Sequence, residues 1–168
     1  MAEPKRLLLL RHAKSSWDDP ELADYDRPLA ARGRKAAKLI GAHLRREQIR
    51  TSLVLCSSAR RARETLDLVA ASGEIQIEPE LYGASADQLL ERLRRVPDEV
   101  DAVMLIGHNP GLQDLALALA STGPELARLK RKFPTAALAT LTLPETSWRE
   151  LAEGNAQLAS YVVPEQLD

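Results

Sequence analysis

The stretch that decides the fold is LLLLRHAKSSW, Leu7 to Trp17. Four consecutive leucines have no alternation of apolar and polar residues, so they suit a strand buried on both faces, the kind found in a parallel sheet covered by helices. The run ends abruptly in Arg11 and His12. A buried strand that delivers a guanidinium and an imidazole at its end either stops at the surface or arrives at a site.

Working outward, the same design recurs. Leu53-Val54-Leu55-Cys56 reads as a second buried strand, followed by Ser57, Ser58 and the arginines Arg60, Arg61 and Arg63. Ala102–Ile106 is the clearest strand, followed by Gly107-His108-Asn109. Ile75–Ile77 suggests a brief strand, and Ala136–Leu143 and Leu158–Val163 suggest two more. Between them lie helical segments. One is predicted to open at Pro28, with Gly33, Ala37, Ile40 and Leu44 facing inward. Another is capped by Ser57 or Ser58 and carries Ala62, Leu66 and Val69 on one face. A third opens on the capping box Ser85/Gln88 and ends before Pro97. The last is capped by Asn109 and starts at Pro110. Strands alternating with helices predict an α/β fold, a three-layer α/β/α sandwich on a largely parallel sheet. Ligands of such sheets bind beyond the carboxyl ends of the strands. Arg11, His12, Arg61 and His108 all fall there.

The 168 residues, 45% hydrophobic and 28% charged, suit a single domain spanning residues 1–168. A net charge of -1 and a pI near 6.3 provide no basic field for nucleic acid or anionic lipid. One cysteine cannot form an internal disulfide, and the four-residue apolar run is too short for a signal-peptide core, so a cytoplasmic protein without membrane association is expected.

The arginines beside Ser57 and Ser58 sit where a helix dipole disfavours cations. An anion bound between the helix start and the guanidinium groups reverses that penalty, and phosphate satisfies both. Metal chemistry finds little support: HExxH, CxxC and EF-hand patterns are absent, and Asp18, Asp19, Asp24 and Asp26 read as solvated loop carboxylates. Neither a metal nor an organic cofactor is expected. Cys56 does not open a Cys-x5-Arg phosphate loop, because the sixth residue after it is Ala62. Ser57 and Ser58 lack a GxSxG elbow. His43, on the flank of the first helix, reads as structural or solvated.

These residues resemble the histidine phosphatase superfamily, whose members include phosphoglycerate mutases. Arg11-His12-Ala13 is similar to its RHG/RHA opening. Ser57–Thr65 is similar to its S-x-x-x-R-A-x-x-T pattern, which selects Arg61 among the arginines. Gly107-His108-Asn109-Pro110 stands where the second family histidine is expected, and Pro28-Leu29 with Gly33 resembles the start of the first helix. Within the superfamily, RHAKSSW and the short length look most like SixA-type phosphohistidine phosphatases.

The resemblance implies a phosphoglycerate mutase-like fold and a phosphatase in which His12 forms a phosphohistidine, with Arg11, Arg61 and His108 around the phosphoryl oxygens. It also implies phosphate or substrate contacts from Ser15 and Asp18, and Glu80 as the nearest proton donor. Asp18 stands where mutase-like members have asparagine, and the surroundings of Glu80 depart from the mutase pattern. An alkoxide needs a proton to leave, whereas imidazole titrates near 6.5. A site without a firm general acid therefore favours P–N cleavage. The expected partner is a phosphorylated protein. The alternatives are a small phosphomonoester or phosphoanhydride, or a phospho-ligand binding module without turnover.

Overall fold

The computed structural model describes residues 4–144 and 147–168. Its sheet has seven strands in the order β3-β2-β4-β1-β6-β7-β5. They are β1 (Lys5–Arg11), β2 (Leu53–Ser57), β3 (Glu74–Glu78), β4 (Ala102–Gly107), β5 (Ala120–Thr122), β6 (Leu138–Leu143) and β7 (Ala156–Val162). The leucine run lies in β1, paired parallel to β4 and antiparallel to β6, with each of Leu7 to Leu10 at 0% exposure. Burying such a side chain contributes about 2 kcal/mol. The end of β1 is therefore a firmly held point.

Alternate leucines feed the two outer layers. Leu8 and Leu10 pack with Ile40 and Leu44 of α1 (Ala31–Arg46) and with Leu66 of α2 (Arg60–Val69). Leu7 and Leu9 join the opposite core, with Leu93 of α3 (Ala86–Arg94) and Leu115 of α4 (Gly111–Leu119). A short α5 (Leu126–Arg131) adds Leu129 to that side. The three-layer arrangement is as expected. Strands β3, β2, β4 and β1 run parallel, and the sheet then turns antiparallel through β6 and β7.

Several boundaries shift for local reasons. Helix α1 starts at Ala31 and not at Pro28, because Leu29 pairs with Ser15 in an isolated bridge and its N–H is bonded to Glu64 Oε1. Gly33 is required here: a Cβ would lie 2.1 Å from the Lys14 carbonyl oxygen. Helix α2 has Ala59 at its N-cap with no side-chain bond, so neither Ser57 nor Ser58 caps it. Both serines bond elsewhere, as described below. The capping box of Ser85 and Gln88 is present. Asn109 Oδ1 accepts from the Gln113 N–H, while α4 itself begins after Pro110. Ala136 lies outside β6 because its left-handed backbone (φ 62°) turns its N–H to the Arg11 and His12 carbonyls. Among the described residues, no helix is long and apolar enough to cross a membrane.

Candidate active site

At the end of β1 the His12 N–H bonds the Gly107 carbonyl on β4, which fixes where the imidazole starts. Its Nδ1 lies 2.7 Å from the Ala13 carbonyl, an acceptor, so Nδ1 carries the proton and Nε2 presents a lone pair. Arg61 Nε approaches that Nε2 at 3.4 Å. Thr65 ties the two elements together: its Oγ1 accepts from the Ala13 N–H and donates to the Arg61 carbonyl. Burial, and then the charges of His108, Arg61 and Arg11, push His12 down to about 3, against the opposing hydrogen bond to Ala13. At neutral pH the ring is an uncharged base.

His108 follows β4, its ring centroid 5.1 Å from that of His12. Its Nε2 is 2.8 Å from Ser57 Oγ at the end of β2. Burial and the Arg61 charge lower it to about 4. Arg11 donates through Nη1 to the Phe133 carbonyl at 3.0 Å, and its buried Nε has no partner among the described residues. Arg61, 7% exposed, donates through Nη1 to the Asp24 carbonyl and through Nη2 to Asp24 Oδ2. Its terminal edge is thereby occupied, and its Nε edge is left turned toward His12. Two guanidiniums and two neutral imidazoles thus converge from three strand ends, a composition suited to a phosphoryl group.

Residues 7–94 match the sequence model of the histidine phosphatase superfamily, branch 1. The chain belongs to the histidine phosphatase superfamily. An uncharacterized protein of Mycobacterium tuberculosis (strain H37Rv) is 39% identical over 159 residues, covering 92% of this chain and 99% of that protein. The structure of a candidate phosphohistidine phosphatase SixA from Nakamurella multipartitia is 29% identical with a TM-score of 0.87, covering 97% of this chain and 98% of that one. The corresponding SixA from Agrobacterium tumefaciens is 32% identical with a TM-score of 0.80, covering 96% and 99%. The fold is phosphoglycerate mutase-like, and this histidine phosphatase is a hydrolase of SixA type.

The remaining sequence-predicted residues of this histidine phosphatase lie apart from the quartet. Ser15 is buried, and its Oγ accepts from Arg27 Nη2 at 2.5 Å, so it holds Arg27. Asp18 is exposed and lines a neighbouring cavity with Arg34 and Arg60. Glu80 lies in a single-turn helix, Pro79–Leu81, facing a different cavity beside Arg92 and Arg95. Cys56 is buried, and desolvation pushes its thiol up to about 12, which makes it inert. His43 lies within α1 away from the strand ends.

Sequence reasoning did not single out Asp24 or Tyr82. Asp24 sits in the single-turn helix Asp24–Asp26 and receives bonds from Arg61, Arg27 Nη1 and the Tyr82 hydroxyl, the last at 2.6 Å. The Tyr82 hydrogen bond, followed by Arg61, holds the carboxyl down at about 2 despite some desolvation. The Tyr82 ring meets His108 edge-on at 5.4 Å and Tyr25 at 5.0 Å. Nothing along the chain separates Asp24 from Asp18, Asp19 or Asp26. The adjoining Arg27-Pro28-Leu29 was the nearest available signal.

Proposed function

We propose that this enzyme is a metal-independent phosphohistidine phosphatase acting on a phosphorylated protein, with His12 as nucleophile. His12 Nε2 attacks phosphorus in line, the bond from phosphorus to the substrate imidazole nitrogen breaks, and the substrate ring, protonated beforehand on its other nitrogen, departs as neutral imidazole while His12 keeps its Nδ1–H. Arg11, Arg61 and His108 surround the equatorial oxygens as charge redistributes. Water then attacks the phosphohistidine; phosphate leaves, a proton passes to solvent and His12 returns to its neutral form. The fixed Nδ1–H keeps Nε2 available without prior deprotonation.

The observation that carries the choice of substrate is the state of Asp24. Among the described residues it is the carboxyl bonded to the quartet, and Arg61, Arg27 and Tyr82 all donate to it. Held near 2, it is ionised at neutral pH and has no proton to give. Glu80 faces another cavity. An alkyl phosphate whose alkoxide needs protonation is poorly served, whereas a phosphohistidine ring, which takes up its own proton from water in the range where imidazole titrates, near 6.5, leaves as neutral imidazole without an acid from the enzyme. Arg11 and Arg61 supply the positive charge a metal provides elsewhere, and Asp24, which holds Arg61 at the carboxyl ends of the central strands, is half-exposed to solvent on the side from which a protein substrate would approach.

The test compares kcat/KM for a phosphohistidine peptide with that for an alkyl phosphomonoester, in EDTA. A preference for the peptide of about 100-fold or more is expected. Faster turnover of the monoester, or loss of activity in EDTA, overturns the reading.

A further inference from the structure

Beside the active site lies a second concavity of about 650 Å³ that the chemistry above does not use. Its floor is apolar, built from Leu22, Pro28, Leu29 and Leu68. On its rim stand Asp18, Asp19 and Asp67, all exposed and none in an ion pair with a described residue. Of the arginines that also line it, Arg60 is paired with Glu64 at 2.9 Å, while Arg34 donates to the Leu29 carbonyl and keeps its charge, so three carboxylates face one uncompensated cation. Trp17, 70% exposed, stands next to this wall and is the most exposed large apolar side chain described. Exposed tryptophans of this kind are where protein interfaces concentrate binding energy.

The groove and the active site share a wall. Ser16 lines the groove, and its carbonyl accepts from Arg27 Nε. Arg27, covered by the Trp17 ring at 3.2 Å, also holds Asp24, which holds Arg61. On α2 the neighbouring residues Arg60 and Arg61 face the groove and the quartet respectively.

We infer that this groove docks a basic, aliphatic segment of the phosphoprotein substrate, flanking the histidine that is dephosphorylated. A leucine-like side chain fits the floor, and a lysine or arginine beside it meets the unpaired carboxylates. The choice of a basic protein segment over an acidic one follows from that charge balance. The inference rests on the phosphohistidine-protein reading for its substrate, but docking can be measured without turnover.

The probes are two peptides of equal length, each with one central histidine, flanked in one by Leu and Arg and in the other by Leu and Glu. They are phosphorylated on histidine with phosphoramidate. The basic peptide is expected to show a KM about fivefold or more below the acidic one at low salt, with the difference shrinking as salt rises. The Asp19→Lys/Asp67→Lys double variant is expected to erase or reverse that preference while hydrolysing phosphoramidate itself within about twofold of the parent rate. Equal KM values in the parent enzyme, or a preference unchanged in the variant, overturn the docking assignment. Should neither phosphopeptide be hydrolysed, the phosphohistidine reading falls. Fluorescence anisotropy of the same peptides, labelled and unphosphorylated, then still decides docking: tighter binding of the basic one sustains it, and equal binding ends it.

Discussion

Asp24 grips the terminal edge of Arg61 twice, with its backbone carbonyl 2.7 Å from Nη1 and its carboxylate 3.0 Å from Nη2. The guanidinium is thus held from behind while its Nε points at His12. A cation that must meet a phosphoryl group gains most from being fixed in place beforehand. Asp24 is a positioning residue in this account.

Replacing Asp24 with Ala leaves the backbone contact and frees the rest of the side chain. A fall in kcat/KM of about 10- to 100-fold is expected, because displacements near 1 Å in a catalytic group have that cost. Tyr82→Phe, which removes one of the three bonds to Asp24, is expected to lose only a few-fold. A structural role alone would leave the pH profile unmoved. Loss of the Asp24 charge, which raises His108, instead shifts the ionisation assigned to His108 to lower pH.

Protonation should also be visible in stability. His12 and His108 titrate near 3 and 4 in the folded chain, and near 6.5 once unfolded. Between those values the unfolded chain binds more protons, so folding stability is complete above about pH 6.5 and declines as pH falls toward 4. The slope is at most about 1.4 kcal/mol per pH unit for each histidine. Tm measured from pH 4 to 7 should show this decline, and it should flatten in His108→Gln. An unchanged slope in the variant would remove the histidine assignment.

Gly33 underlies the loop that leaves His12. A Cβ there meets the Lys14 carbonyl oxygen at 2.1 Å, and a backbone atom cannot yield as a flexible side chain can. Gly33→Ala should cost about 1–3 kcal/mol by denaturant melting and lower kcat/KM as the segment after His12 is displaced.

Cys56 should be silent. Buried and pushed up to about 12, its thiol is expected to resist disulfide reagents in the native protein and to react at once on unfolding. Cys56→Ala should retain activity within about twofold, which a thiolate nucleophile would not permit.

How much of this was legible along the chain follows from the kind of signal each residue emits. Leu7–Leu10, Leu53–Cys56 and Ala102–Ile106 are continuous apolar runs, so the central strands and the residues at their ends could be read directly. The quartet was legible because it sits at those ends. Strand β5 is only Ala120–Thr122, too short for any periodicity, and α5 has six residues. Pro28 misplaced the start of α1 because a tertiary bond from the Leu29 N–H to the Glu64 carboxylate overrides a local preference. Ser57 and Ser58 read as caps, yet Ser57 serves His108 and Ser58 accepts from Tyr25. Asp24 was hidden because the partners that tie it to the site, Arg61 and Tyr82, lie 37 and 58 residues away. Ser15 and Asp18 are near the motif in sequence, but neither side chain is bonded to the quartet.

The most direct measurement is rapid quench of the enzyme with a peptide carrying ³²P-phosphohistidine, followed by mapping of the label. The expected result is acid-labile, base-stable phosphate on His12 of the enzyme, absent from His12→Ala, whose turnover falls by about a thousandfold or more. Label on another residue, or turnover without His12 at the parent rate, would contradict it.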